Sequence, residues 1–281
     1  MSVPLMPRRA FLASALPALA GTVLGAEQET RPAPLGISLQ QEPLRYELDA
    51  LEPYLDAVTL KLHYHEYHAK HLAEFRRTLD DVELSVGSVT SLMPCIKSIK
   101  RPPQVRQSIL QLSLANSRPA TGVQSELPED VQKSIRQHGG AHVNHTIFWR
   151  FLAPSEDTPL GPSGRASQAI DDEFGTLQEF KKAFTAAAMK HSGSGWAWLV
   201  YRPDKKLVIT TTPNEDNPLM KEFVDWREHG RVILALDLWE HSYYAKYKNN
   251  RRAYIDAWWK VVNWEFVDKA HAIVRGIYNH S

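Results

Sequence analysis

The run Asp237-Leu238-Trp239-Glu240-His241 decides the fold of this chain. It starts at the end of the apolar stretch 232–237, which we predict to be a β-strand. An aspartate that leaves a strand four residues before a histidine can turn both side chains onto one ion. Because neutral imidazoles and one carboxylate suit a divalent first-row transition metal, the run predicts part of a metal site.

Two other segments are rich in histidine. Nine residues of a predicted helix contain His63, His65, His68 and His71, and the segment 139–149 has two histidines after a pair of glycines. A histidine-rich helix face alone is more often solvated or only weakly metal-binding. Together with the aspartate run, the three segments can supply three imidazoles and one carboxylate, although the twelve histidines allow many other combinations.

The composition excludes several classes of protein. The chain has 281 residues, of which 43% are hydrophobic, so it can build a core and is neither disordered nor fibrous. The 33 basic and 32 acidic residues nearly cancel, which argues against a nucleic-acid-binding protein. The single cysteine, Cys95, excludes an internal disulfide.

The first 26 residues are predicted to be an export signal. Arg8 and Arg9 precede the apolar stretch 11–24, which is shorter than the roughly 20 residues of a membrane-spanning helix. The arginine pair is typical of a twin-arginine signal, which exports folded proteins. We therefore expect a bacterial protein of the periplasm or extracellular space without a stable membrane anchor. The alternative is a disordered or buried N-terminal helix.

The remaining chain is predicted to have an α+β fold. A proline-rich linker, 27–43, precedes an N-terminal helical-hairpin domain, 44–155, which contains an insertion at about 100–126. A mixed C-terminal domain, 160–281, contains a small three-stranded antiparallel sheet. The hydrophobic spacing predicts helices at 57–79, 127–151 and 176–191, and strands at 196–200, 207–212 and 232–237.

Long motifs in this chain resemble those of the iron/manganese superoxide dismutases. The aspartate run continues as Ser242-Tyr243-Tyr244-Ala245-Lys246-Tyr247, and supporting motifs are Asn250-Arg251-Arg252-Ala253-Tyr254, Trp258-Trp259-Lys260-Val261-Val262-Asn263-Trp264, the segment 140–149 and the segment 193–200. The resemblance extends from about Leu51 to Tyr278. It implies conversion of superoxide to dioxygen and hydrogen peroxide by redox cycling of one manganese or iron ion per subunit.

The resemblance also implies roles for individual residues. The metal ligands are His63, His145, Asp237 and His241. An aromatic cage around them consists of Trp149, Trp196 and Trp239, with Phe148 beside it. The resemblance implies a homodimer, or a tetramer made of two such dimers, in which Glu240 meets the partner subunit's His241 and Tyr244 lies at the same contact.

Glu215 is the first departure from the family pattern. The family places a glutamine amide against the solvent bound to the metal, and Glu215 and Ala141 occupy its manganese-type and iron-type positions. An ionised Glu215 cannot donate a hydrogen bond, so we expect it to raise the potential and lower turnover. The alternative is a protonated Glu215 that replaces the amide donor.

Tyr67 and His71 are the second departure, because the family usually has these two residue types in the opposite order. Residues four apart share a helix face, so both could still line the substrate channel, with Tyr67 facing Tyr244 across the dimer. An unperturbed histidine titrates near pH 6.5, so we expect an extra pH dependence of activity at roughly 5.5–7.5. Alternatively, His71 is a polar surface residue without a role.

The metal and the turnover rate stay open at this point. The segments around Gly140 and Asn214 are more similar to the manganese branch, so manganese is favoured over iron. The competing function is an exported, dismutase-like metal-binding protein with low or no turnover, which Glu215, Tyr67 and His71 keep in consideration. The insertion at 100–126 is interpreted as a solvated loop.

Overall fold

The structure is a computed structural model that describes residues 36–100 and 126–279. The predicted export signal, the first part of the predicted linker and most of the insertion lie outside the described residues. None of the described helices is both long enough and apolar enough to cross a membrane.

The fold consists of helices and one small sheet, as the α+β prediction required. The first half contains α1 (Ala57–Leu62), α2 (Ala69–Asp81), α3 (Glu129–Ser134) and α4 (Gly140–Arg150). The second half contains α5 (Gly164–Phe174), α6 (Leu177–Lys190), β1 (Gly195–Tyr201), β2 (Leu207–Pro213), β3 (Arg231–Asp237), α7 (Tyr244–Tyr247), α8 (Arg251–Trp258) and α9 (Trp264–Asn279). Helix α5 was not predicted.

The sheet has the strand order β2-β1-β3, with both pairs antiparallel. The central strand β1 is buried at all seven positions because helices cover it, and α6 and α9 both contact it. Trp196 on β1 pairs with Asp237 at the end of β3. This register brings the aspartate of the predicted metal site to the buried edge of the sheet.

Each of the two long helices in the first half contains a π-helical turn. His63–His68 joins α1 to α2, and Ile135–Gly139 joins α3 to α4. A π-turn bonds residue i to residue i+5, so it brings residues five apart onto nearly the same face. For this reason His63 and His68 are both buried, although an ordinary α-helix would point them in different directions.

The end of the predicted linker is packed against the first half of the molecule. Ile37 is fully buried, and the carbonyl oxygens of Ser38, Leu39 and Glu42 accept hydrogen bonds from His142, Arg76 and Tyr64. The prediction of a tether therefore needs correction from residue 36 onward, where a buried isoleucine and backbone acceptors fix the chain. The prolines and lack of periodicity hid this packing.

Candidate metal centre

Four side chains predicted as metal ligands converge on one point. His63, His145, Asp237 and His241 each offer one ligand atom, and these atoms all lie within 4.8 Å of one another. His63 comes from the first π-turn, His145 from α4, Asp237 from the end of β3 and His241 from the turn after it. Both halves of the chain therefore contribute to one buried site.

Asp237 is the centre of this set. Its Oδ2 atom lies 3.1 Å from Nε2 of His63, 3.9 Å from Nε2 of His145 and 3.2 Å from Nε2 of His241. Burial alone would raise the pKa of the Asp237 carboxyl, but the charge of His241 and the hydrogen bonds from His241 and His63 hold it below its usual range. The carboxylate is therefore ionised and balances positive charge in a buried site.

Hydrogen bonds outside the set aim the ligand atoms inward. Nδ1 of His145 donates to the carbonyl oxygen of Ala141 at 2.7 Å, which leaves the lone pair on Nε2. The backbone N–H of Trp239 donates to Oδ1 of Asp237 at 2.8 Å, which leaves Oδ2 for the site. Such outer contacts fix the orientation and tautomer of metal ligands.

The residues fit a transition-metal ion. Burial, followed by the charge of His241, lowers the pKa of His63 to about 4, and burial lowers the pKa of His145 well below its usual value. Both rings are neutral at neutral pH and can coordinate. Nε2 of His145 is buried without a hydrogen-bond partner in the described part of the chain, as a ligand atom would be in the protein without its ion.

The predicted aromatic residues enclose the site. Trp149 meets His63 edge-on, with ring centroids 4.6 Å apart, and Trp196 meets His145 in the same way at 5.2 Å. Trp239 stacks on His241 at 5.7 Å. Phe148 lies 5.6 Å from His63. These rings exclude water from the ligand atoms, which strengthens electrostatic interactions inside the site.

Glu215 lies beside the cage and is 4% exposed. Its Oε2 atom accepts hydrogen bonds from Nδ2 of Asn144 at 3.1 Å and Nε1 of Trp196 at 3.2 Å, whereas its buried Oε1 atom has no partner among the described residues. Burial, followed by the negative charge of Asp237, raises the pKa of Glu215 well above its usual range. This raised pKa favours the protonated alternative over the expected ionised Glu215.

A cavity of about 420 Å³, here called the front cavity, lies in front of the site. It is lined by His71, Lys133, Arg136, Gln137, Asn214, Glu215, Asp216 and Trp239. Tyr67 is 44% exposed and stacks on His241, with ring centroids 4.6 Å apart. Tyr67 and His71, whose order along the helix is the reverse of the usual one, therefore both reach the site: Tyr67 contacts a ligand and His71 lines the cavity.

The pH dependence expected from His71 does not fall in the predicted window. Burial, followed by the charge of His138, lowers the pKa of His71 to about 4, and His241 and Lys70 act in the same direction. His71 is thus neutral across pH 5.5–7.5. The sequence showed that this histidine was unusual, but not that a second histidine lies against it.

A hydrogen-bonded chain behind the ligands, here called the rear chain, was not predicted. Nε1 of Trp149 donates to Nδ1 of His68 at 3.2 Å, so the proton of His68 is on Nε2, which donates to Nδ1 of His142 at 2.8 Å. Nε2 of His142 donates to the carbonyl of Ser38 at 2.8 Å. His68 also stacks on the ligand His145, with ring centroids 5.3 Å apart. The sequence feature that could have indicated this chain is the five-residue spacing from His63 to His68, which a π-turn places on nearly the same face.

Comparisons with known proteins identify the family. Residues 162–270 match the family described as iron/manganese superoxide dismutases, C-terminal domain. The chain is 37% identical to superoxide dismutase (Mn) 1 of Leptolyngbya boryana over 231 residues, which are 82% of this chain and 79% of that protein. It is 36% identical to superoxide dismutase (Mn) of Thermus thermophilus over 226 residues, which are 80% of this chain and 93% of that protein. With its ligand set and cage in the geometry described above, the chain belongs to the iron/manganese superoxide dismutase family.

Proposed function

We propose that this protein catalyses the dismutation of superoxide. One superoxide gives up an electron and leaves as dioxygen, and a second takes up that electron and two protons and leaves as hydrogen peroxide. The observation that carries this proposal is the convergence of three imidazoles and one carboxylate within 4.8 Å in a buried aromatic cage. When bound there, a manganese or iron ion supplies a one-electron couple, and the names of both relatives favour manganese.

In this proposal the ligand residues hold the ion and limit its charge. Asp237 contributes the single negative charge of the set, and three imidazoles complete it. The cage made by Trp149, Trp196 and Trp239 keeps bulk water away. Since its members contact different ligands, the cage also restricts how far each ring can move.

Glu215 is proposed to hold a proton toward the reaction site. Its Oε2 atom already accepts two N–H groups, so the acid proton belongs on Oε1, whose hydroxyl has no other partner in the described residues. A neutral carboxylic acid can donate one hydrogen bond from this position, as a glutamine amide does. This favours an active enzyme over a dismutase-like protein without turnover.

A homodimer is proposed from an exposed apolar surface near His241. Val58 and Leu62 on α1 are 65% and 46% exposed, and Tyr244 on α7 is 50% exposed. Helix α1 contacts both α7 and the turn Glu240–Ser242, so these side chains belong to one surface. A partner there would cover apolar side chains and bring its Glu240 to His241. Analytical ultracentrifugation of the parent and Leu62→Glu tests the pairing, and dimers of equal affinity in both would contradict it.

Export by a twin-arginine route is proposed from residues 1–26. Such a route would allow metal loading before export, because it moves folded proteins. Fractionation of bacterial cells that express the chain with Arg8→Lys and Arg9→Lys together tests this. We expect the double variant to stay in the cytoplasm, and equal export of both chains would contradict the proposal.

The activity itself is tested by a superoxide assay on manganese-loaded and iron-loaded protein, beside Asp237→Ala. We expect turnover in the parent and loss of both metal and activity in the variant. Removing a residue that only hydrogen-bonds to a metal ligand lowers metal affinity or activity by roughly 10–100-fold, and removing a ligand should lower them by at least as much. Asp256→Ala, which changes an exposed acid paired with Arg252, is the control. Parent protein that binds one ion per subunit without turnover would favour the metal-binding alternative.

A further inference from the structure

Two histidines that are not part of the buried metal site lie in direct contact near its entrance. His71 is in the first turn of α2 and His138 is in the second π-turn, and their Nδ1 atoms are 3.0 Å apart. In the part of the chain that the structure describes, the only hydrogen bond of either ring joins it to the other. Both rings are partly exposed.

The backbones that carry these rings are held at a fixed distance. One turn along α2, the buried ring of Phe75 packs on Gly139, where an added Cβ would come within 2.9 Å of the ring. Further along, Oγ1 of Thr78 and Oγ of Ser134 form a hydrogen bond of 2.6 Å. The histidine pair therefore sits at one end of a packed helix crossing. A site built on such elements is preorganised.

The distance between the two nitrogens suits a shared cation. Zinc binds histidine nitrogen at roughly 2.0–2.1 Å, so two imidazole ligands of one tetrahedral ion lie roughly 3.3 Å apart. In the present contact one neutral imidazole carries its proton on Nδ1 and donates it to Nδ1 of the other, which carries its own proton on Nε2. When the first ring changes to the tautomer protonated on Nε2, both Nδ1 lone pairs are free for a metal, and no net proton is released.

The surroundings leave room for a hydrated cation. His71 lines the front cavity, which has space for water molecules as further ligands. Burial lowers the pKa of His138; the negative charge of Glu74, three residues after His71, acts against this shift, whereas the charges of Arg77 and Lys70 act with it. Glu74 is paired with Arg77, so the charges next to the histidine pair nearly cancel. Lys133 and Arg136 also line the cavity, but Lys133 is paired with Glu129 and Arg136 with Asp216.

We propose that His71 and His138 form a second cation site, open to solvent, for divalent ions that prefer imidazole, such as zinc, nickel or copper. The ion would lie at the wall of the front cavity, which is also lined by Glu215 and Trp239 beside the buried site. It would therefore narrow the approach of superoxide and slow turnover. This second statement rests on the proposed dismutase function, whereas binding of the ion does not.

Titration calorimetry with Zn²⁺ on manganese-loaded protein tests the site. We expect one Zn²⁺ per subunit in addition to the buried manganese, whose content is measured before and after the titration. The variants His138→Asn and His71→Tyr should each weaken this binding by on the order of tenfold or more, because each removes a ligand outright. His229→Asn changes a partly exposed histidine of the loop before β3 and should bind as the parent does.

Two results would overturn the site: no Zn²⁺ binding to the parent, or equal binding by the parent and His138→Asn. If His71→Tyr does not fold, His138→Asn alone carries the test. Dismutase activity measured with and without Zn²⁺ tests the effect on access. Zinc that binds the pair without slowing turnover would overturn the effect on access alone, whereas a parent inactive without zinc would contradict the proposed function instead.

Discussion

The back and the front of the ligand set differ in how their polar groups are paired. At the back, Trp149, His68 and His142 form the rear chain, in which each ring passes its hydrogen bond to the next and the last ends on a backbone carbonyl. At the front, among the residues that the structure describes, Oε1 of Glu215 has no partner and the ring of His71 forms a hydrogen bond only with His138. The back fixes the ligands, and the front keeps atoms available for protons and ions.

The largest expected effect is on turnover, when Glu215, the hydrogen-bond donor at the front, is removed. Glu215→Ala should lower turnover by about 10²–10³-fold, which is typical for loss of one preorganised donor in an active site. Glu215→Gln keeps a neutral donor of the same shape and should stay within about tenfold of the parent. The measurement is dismutase activity per bound metal ion.

Glu215→Gln is also the variant that can contradict this interpretation. An ionised Glu215 would act as an acceptor, and its replacement by an amide would then shift the potential of the bound metal and raise turnover strongly. A potential and a turnover close to those of the parent would agree with the neutral acid. Equal metal contents in the three proteins are required as a control.

At the back, the expected effect is on stability. His142→Leu leaves Nε2–H of the buried His68 without its partner, which costs about 1–3 kcal/mol for such a group. The midpoint of thermal unfolding should fall by roughly 2–4 °C for each kcal/mol. The matched change at the front is His138→Asn, which alters a partly exposed ring and should stay within about 0.5 kcal/mol of the parent. Equal destabilisation by both variants would remove the contrast.

The sequence predicted the ligands better than their surroundings. The long first helix, the three strands and the four ligands follow from hydrophobic spacing and from the family motifs. The rear chain does not, because the π-turn at His63–His68 changes which residues face inward, and periodicity assumes an ordinary helix. The contact between His71 and His138 joins residues 67 positions apart, which no local pattern reports.

The protonation of Glu215 should also appear as a pH dependence of stability. Because burial, followed by the charge of Asp237, raises its pKa above the ordinary value of 4.5, the folded protein keeps a proton that the unfolded chain releases. The stability contributed by this group therefore falls as the pH rises above 4.5. Glutamine has no such proton, so the excess in unfolding midpoint of Glu215→Gln over the parent should grow from pH 5 to pH 8.

The matched control for this measurement is Glu265→Gln, which changes an exposed carboxyl of α9. Its midpoint, followed over the same pH range, is the reference for replacing an exposed carboxyl by an amide. If the difference between Glu215→Gln and the parent does not grow with pH beyond this reference, Glu215 is ionised in the folded protein. The proton donated to the reaction site would then have to come from another group that lines the front cavity.

The smallest expected effect is at His71. With a pKa lowered to about 4 by burial and by the charges of His138, His241 and Lys70, this ring stays neutral between pH 5.5 and 7.5. His71→Tyr should therefore leave the ratio of the activities at these two pH values unchanged, even if the absolute rate shifts. The ratio is measured in stopped-flow decay of superoxide at constant ionic strength. A step near pH 6.5 that is present in the parent and missing in the variant would mean that the ring is charged at the wall of the cavity. In that case the hydrogen bond between His71 and His138 is broken in solution. The front of the site would then differ from the back in its order as well as in how its polar groups are paired.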